Sequence, residues 1–268
     1  MKRVAIKKEF DTLAREIRED IIKMLSRTRT CSPTSLGIVD VLIALYFGAL
    51  KKDSRKPTWD ERDRVFISND SLAPARYAAL AHAGYFSKRE LASYGSKRLP
   101  TTPNRNVPGV EIANPSLGTA LSISIGSALF AKIEGKKHHT YCIIGDGEHN
   151  LGQVWEAILF ASKHKLRLTA IIDRNNTQQT GYTETILPLE SLRAKYEAFN
   201  WHVIEADGHN IHHVIDALVE SKTANKPCAI IAHTIPGKGV SFLENRPEWA
   251  TKQFTSEHER KALAELDK

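Results

Sequence analysis

Two short polar clusters in this 268-residue chain carry residue types that suit the binding of an anion through a metal ion. Asp146 stands between Gly145 and Gly147, and Asn175-Asn176 follows a little under thirty residues later. A carboxylate and an amide oxygen are hard ligands of the kind that Mg²⁺ and Ca²⁺ take, and Mg²⁺ keeps few protein ligands beside phosphate and water. Bare glycine backbone and the free N–H groups of a following helix suit a diphosphate. Taken singly, Asp-Gly and Asn-Asn are ordinary loop punctuation. Their weight comes from the elements that carry them.

Tyr141 to Ile144 is an apolar run of β formers, ended by Gly145-Asp146-Gly147. From Gly152 to Lys165, Val154, Trp155, Ile158, Leu159 and Ala161 recur at helical spacing. Lys163, His164 and Lys165 fall in the last turn, where positive charge suits the helix dipole. Leu168 to Ile172 is a second strand, closed by Asp173-Arg174-Asn175-Asn176. The three make one βαβ unit whose strands are apolar enough for a buried parallel sheet. Both strands of such a unit end at the same sheet edge, so Asp146 and Asn175 are expected to meet there.

The flanking chain repeats the pattern. Phe10, Leu13, Ile17, Ile21 and Met24 step by three and four and predict an amphipathic helix. A polar connector from Thr28 to Ser35 precedes a second, strongly apolar helix over 36–50, and a charged loop over 57–64 leads to a strand at Val65–Ser68 and a helix over 74–82. Residues 116–133 read as a helix dense in Ser, Ala and Gly, which permits close packing. Further on come a helix ending near Phe199, a strand at Trp201–Glu205, a turn at Asp207–Asn210 before another helix, a last strand at Cys228–His233, a loop at 236–239 and a charged terminal helix over 256–268. His209, beside Asp-Gly in a turn, is read as structural. The expectation is an α/β fold, a parallel sheet with helices on both faces.

Composition narrows the class. The chain is 41% hydrophobic and 26% charged, ordinary for a soluble globular protein. Its three cysteines, Cys31, Cys142 and Cys228, are scattered without metal spacing, which points to a reducing, cytoplasmic setting. No apolar run approaches the ~20 residues of a membrane span, and Met1-Lys2-Arg3-Val4 lacks the apolar stretch of a signal peptide. The net charge of +7 is spread along the chain without a nucleic-acid motif, so it reads as a solvated surface that also attracts phosphorylated substrates.

Gly145-Asp146-Gly147 followed by Asn175-Asn176 resembles the thiamine diphosphate motif, and Gly-Gln-Val-Trp-Glu-Ala at 152–157 narrows the resemblance to transketolases. The segments at 40–47, 59–68, 108–111 and 116–118 are similar to transketolase N-terminal segments, so the resemblance covers nearly the whole chain as one thiamine diphosphate-binding domain, residues 1–268. It implies that Asp146, Asn175 and the carbonyl of Thr177 hold Mg²⁺ or Ca²⁺, and that Gly147, Glu148, Ser116, Leu117 and Ser71 lie beside thiamine diphosphate. The implied reaction moves a two-carbon ketol unit between sugar phosphates. The family's pyrimidine-binding domain, with the glutamate that activates the cofactor, has no counterpart here. A split transketolase is therefore expected, in which a C-terminal partner chain completes a heterotetramer, and no catalytic base is assigned within this chain.

Several positions depart from the family pattern. Cys31, Ser71, Thr102 and Ala250 stand where the family carries histidines, Leu151 stands where many relatives carry an interface glutamate, and the cofactor loop reads Pro115-Ser116-Leu117-Gly118-Thr119-Ala120. Hydrogen bonds to charged groups contribute about 1.5–3 kcal/mol each, so four losses without compensation amount to orders of magnitude in rate. The substitutions leave two further readings: a thiamine-dependent enzyme with a different donor, or a subunit that binds cofactor or partner without turnover.

Overall fold

The computed structural model describes residues 2–113 and 116–267; Pro115 of the expected cofactor loop, Met1 and Lys268 lie outside them. The chain begins with α1 (Lys2–Thr28), α2 (Pro33–Gly37), α3 (Val39–Ile43) and a π turn at Ala44–Ala49, then enters β1 (Arg64–Ile67) and α4 (Ala73–His82). After a long run of turns come α5 (Thr119–Ile133), β2 (Thr140–Gly145), a 3-10 turn at Asp146–Asn150, α6 (Gly152–Lys163) and β3 (Leu168–Arg174). A small hairpin of β4 (Thr177–Gln178) and β5 (Gly181–Tyr182) is followed by α7 (Thr183–Ile186) and α8 (Leu192–Ala198). The chain then forms β6 (His202–Asp207), α9 (Ile211–Thr223), β7 (Cys228–His233) and α10 (Ser256–Leu266).

Five strands form one parallel sheet in the order β1-β2-β3-β7-β6. Alternation along each strand divides the core in two. Val65, Ile67, Tyr141, Ile143, Ile171 and Ile230 face the core formed with α1, α3, α4 and α9. Phe66, Cys142, Ile144, Ala170, Ile172 and Ile231 face the core formed with α5, α6 and α8. Helices on both faces of a parallel sheet explain why its strands read as continuous apolar runs.

The expected helix over 36–50 is broken: α2 ends at Gly37, α3 follows after Ile38, and the last turn widens to π geometry. The helix expected from residue 116 starts at Thr119, because Gly118 adopts φ +78°, a left-handed conformation that costs glycine nothing. In α5, Ala120, Ser124 and Ala128 are buried, and these small side chains let the helix lie close against β2. Among the described residues no helix is long and apolar enough to cross a membrane.

Candidate functional site

After β1 the chain turns to the α4 face, and after β2 it turns to the α6 face. Connections that leave adjacent parallel strands in opposite directions open a crevice at the carboxyl edge of the sheet. A cleft of about 530 Å³ lies there, lined by the loops after β1, β2, β3 and β7, including Ser71, Asp146, Gly147, Asn175 and Thr177.

The register between β2 and β3 sets Gly145 opposite Asp173, which brings the two polar clusters side by side. Asp146 is 1% exposed. Its Oδ2 accepts from Arg174 Nη1 at 2.8 Å and from the Asn176 N–H at 2.9 Å. Its Oδ1 accepts from the Gly147 N–H at 2.7 Å. Asn175 donates its amide N–H to Asp173 Oδ2 at 2.8 Å, while its Oδ1 accepts from the Thr177 N–H and hydroxyl, both at 2.9 Å. Asp173 also accepts from the Thr234 hydroxyl, which ties the β3 loop to the end of β7. Asp173 thus orients the Asn175 amide, so that oxygen rather than nitrogen faces the Thr177 turn.

This edge holds excess negative charge in a dry setting. Burial pushes the Asp146 pKa up, against the lowering effect of Arg174 and of the Gly147 and Asn176 N–H groups. Burial pushes Asp173 up to about 7, with the nearby Asp146 charge acting in the same direction. A divalent cation would relieve both. Among the described residues no cluster of three His, Cys, Asp or Glu side chains is placed to hold a metal, so a cation here depends on amide and carbonyl oxygens such as those of Asn175 and Thr177. That donor set fits Mg²⁺ with a phosphate-bearing ligand. Gly147 fits as well. A Cβ at that position would lie 3.0 Å from Gln178 Cβ, so only bare backbone passes beneath β4.

A 3-10 turn at Asp146–Asn150 fills the space between the Gly-Asp-Gly cluster and α6, which begins at Gly152 as its spacing predicts. Glu148 tightens this turn by reaching back to the Gly145 N–H at 2.8 Å. Its other oxygen accepts from the Gly118 N–H at 2.7 Å and from the Ser68 hydroxyl. Both oxygens of Glu148 therefore go to protein donors, and the side chain joins the end of β1, the loop before α5 and the Gly-Asp-Gly turn. His149 is fully enclosed and hydrogen-bonds the Asp146 carbonyl at 2.9 Å and Tyr196 Oη at 2.8 Å; burial lowers its pKa to about 4 and keeps it neutral.

The other expected residues divide. Leu117 and Ser71 line the cleft. The Ser71 carbonyl accepts from the Ser32 and Ser35 hydroxyls at 2.6 Å, which pins the first loop to the end of β1. Ser116 is not part of the lining; its carbonyl accepts from Thr119 at the start of α5. Of the positions where histidines were expected, Cys31, Ser71 and Ala250 face the cleft. Thr102 does not line it and hydrogen-bonds Asp70 at 3.3 Å. His209 bridges Asp40 at 2.7 Å and the Ile235 N–H at 2.8 Å, a structural role as expected. Arg174, Asp173, Thr183 and Gln178 were not singled out from the sequence. Arg174 had one visible signal, a cation set between Asp173 and Asn175 at the end of a strand.

Comparison with known proteins agrees with this geometry. Residues 11–250 match the family model described as transketolase, thiamine diphosphate binding domain. The chain belongs to this family, as an N-terminal transketolase subunit. It is 41% identical over 239 residues to the 6-deoxy-6-sulfo-D-fructose transketolase subunit SqwG of Clostridium sp. (strain MSTE9), covering 87% of each chain. It is 36% identical over 264 residues to one of the subunits named for the apulose-4-phosphate transketolase of Actinobacillus succinogenes, covering 96% of each. The transketolase structure from Campylobacter jejuni superposes with a TM-score of 0.89 at 28% identity, over 96% of this chain and 42% of that one. The chain thus spans nearly the full length of these named subunits but about two-fifths of a one-chain transketolase.

Proposed function

We propose that this chain is the N-terminal subunit of a split transketolase, holding the diphosphate end of thiamine diphosphate through Mg²⁺ or Ca²⁺ while a second chain supplies the pyrimidine-binding half. The observation that carries this reading is the β2–β3 register, which sets Asp146, Gly147 and Asn175 together at one cleft in a chain of this family. Asp146, the Asn175 amide oxygen and the Thr177 carbonyl would hold the cation, with the cation replacing the Thr177 hydroxyl at Asn175. The Gly147 backbone would lie against the diphosphate, with Leu117 and Ser71 on the cofactor's flanks and Glu148 and Ser116 framing the loops that carry them. When bound, the cofactor supplies the carbon nucleophile and electron sink for breaking and forming the ketol C–C bond. The residues of this chain bind and orient it and keep water from the buried carboxylates. Residues 1–268 are read as one such domain, working in the cytoplasm.

The partner would bind on an apolar face of this chain. Ile123, Phe130 and Ile133 of α5 and Leu159 and Phe160 of α6 are exposed large apolar side chains, and Leu151 is exposed beside them. Exposed apolar patches of this kind mark protein interfaces, and two copies of each chain would make a heterotetramer. The relatives are named for a sulfonated and a phosphorylated sugar, which supports an anionic sugar as substrate. A different donor is favoured by one observation: Cys31, Ser71 and Ala250 face the cleft where the family pattern has histidines.

The test is a donor half-reaction. The chain is mixed with its partner, thiamine diphosphate and Mg²⁺, and consumption of xylulose 5-phosphate, hydroxypyruvate or 6-deoxy-6-sulfo-fructose is followed. Turnover that disappears with Asp146→Ala establishes the reading, and the preferred donor separates its two forms. Demonstrated cofactor binding without turnover of any donor leaves a subunit that has lost catalysis.

A further inference from the structure

Arg174 closes β3 one residue before Asn175, and its side chain is 3% exposed. Its Nη1 donates to Asp146 Oδ2 at 2.8 Å, and its Nη2 donates to Glu184 Oε1 and Glu190 Oε1, each at 2.6 Å. A carboxylate offers about four lone-pair sites, two on each oxygen. On Asp146, Oδ2 fills both of its sites with Arg174 and the Asn176 N–H. Oδ1 holds the Gly147 N–H at 2.7 Å and only a long contact of 3.4 Å from the Thr183 hydroxyl. Oδ1 is the oxygen with room for a cation.

A guanidinium against a metal ligand would by itself repel the metal. Here Glu184 and Glu190 oppose it, so the charge around Asp146 stays negative. Glu184 is the better held of the two, since it also accepts the Leu189 N–H and is less exposed than Glu190. Both belong to the stretch 183–190, which is further tied to the metal loop by the Thr183 N–H on the Asn176 carbonyl at 2.9 Å. This stretch also presents Ile186 and Leu187 to solvent.

Resting on the proposed function, we infer that Arg174 is a positioning residue: it locks Asp146 so that Oδ1 meets the cation, and it fastens segment 183–190 to the same carboxylate. Glu184 and Glu190 cancel the charge that this lock would otherwise set against the metal. Cofactor loading and the order of segment 183–190 are therefore linked.

The full chain, together with its partner chain, is titrated calorimetrically with Mg²⁺ at fixed thiamine diphosphate, as wild type, R174Q, R174K and E184Q/E190Q. Hydrogen exchange across 183–190 is followed in parallel. Residues that orient a metal ligand typically change metal affinity 10- to 100-fold. R174Q is expected to bind Mg²⁺ at least tenfold more weakly, with faster exchange at 184–190. R174K loses most of the same affinity, because one ammonium cannot reproduce the fork that spans three carboxylates. E184Q/E190Q also weakens binding, and its deficit shrinks as salt is raised. Should R174Q not fold, R174K and E184Q/E190Q carry the test. Affinity within twofold of wild type together with unchanged exchange overturns the positioning role alone. A wild-type chain that, with its partner chain present, takes up no Mg²⁺ and thiamine diphosphate overturns the functional reading and this inference with it.

Discussion

On one face of the sheet, α4 is itself covered by α1, with α10 packed alongside. The outer side of α1 carries Arg15, Glu19 and Lys23 in ion pairs one helical turn apart. On the other face α5 and α6 are the last layer. There Phe130 is 54%, Ile133 72% and Leu159 59% exposed. Both layers pack the sheet with the same kinds of side chain, yet the second also leaves large apolar side chains in water. An apolar outer face raises the free energy of an isolated chain in water and lowers it once a partner covers that face. On the proposed reading, the first layer serves the chain's own stability and the second serves assembly with a partner.

The sharpest way to break this contrast is a cavity in the covered layer. Ile17 of α1 is fully buried, and Ile17→Ala is expected to cost about 2–5 kcal/mol. It should lower the urea midpoint without changing the slope. A cost below about 1 kcal/mol would mean that α1 is a loose cover rather than part of the core.

The matching change in the other layer is Phe130→Ser with Ile133→Ser. Solvent-facing positions change stability by about 0.5 kcal/mol or less, so the urea midpoint should hardly move. Affinity for the partner chain, measured by analytical ultracentrifugation, should fall about tenfold or more, since buried aromatic anchors dominate interface energy. Equal assembly of variant and wild type would refute the assignment of this face.

A smaller effect sharpens the comparison at the opposite edge of the sheet. His139 faces the covered layer, its ring tilted against that of Tyr141 and hydrogen-bonded to the Thr169 hydroxyl at 2.7 Å. Burial lowers its pKa from 6.5 to about 3. The unfolded chain takes up this proton near pH 6.5, whereas the folded chain refuses it until about pH 3. Its contribution is therefore complete above pH 6.5 and is lost as pH falls through that window, at up to about 1.4 kcal/mol per pH unit. His139→Gln should flatten the dependence of urea stability between pH 7 and 5. An unchanged slope would assign it to other groups.

Much of this architecture is legible in residue order. The alternation of Val65, Phe66 and Ile67, the apolar run at Tyr141–Ile144 and the helical spacing from Val154 to Ala161 each follow from one local period. The βαβ reading was enough to expect Asp146 and Asn175 at one edge, because strands of a parallel unit end on the same side. The break in the helix over 36–50 was not legible, since the run is strongly apolar on both sides of Ile38 and Gly37 alone does not force a helix to end. The roles of Glu148 and Arg174 were also hidden. Glu148 was expected beside the cofactor and lines the cleft, and its two oxygens also bind the N–H groups of Gly118 and Gly145 and the Ser68 hydroxyl. No spacing rule relates residues 68, 118 and 148.

By itself the sequence determined the alternating elements, the parallel βαβ unit, the paired oxygen-bearing side chains and the family they resemble, because hydrophobic periodicity and turn chemistry act over a few residues. The tertiary structure alone decided which oxygen of Asp146 stays open, how Arg174 is balanced by Glu184 and Glu190, and which apolar helix face remains bare. Those outcomes depend on groups brought together from distant parts of the chain, where burial and competition for hydrogen bonds, rather than local preference, set each partner.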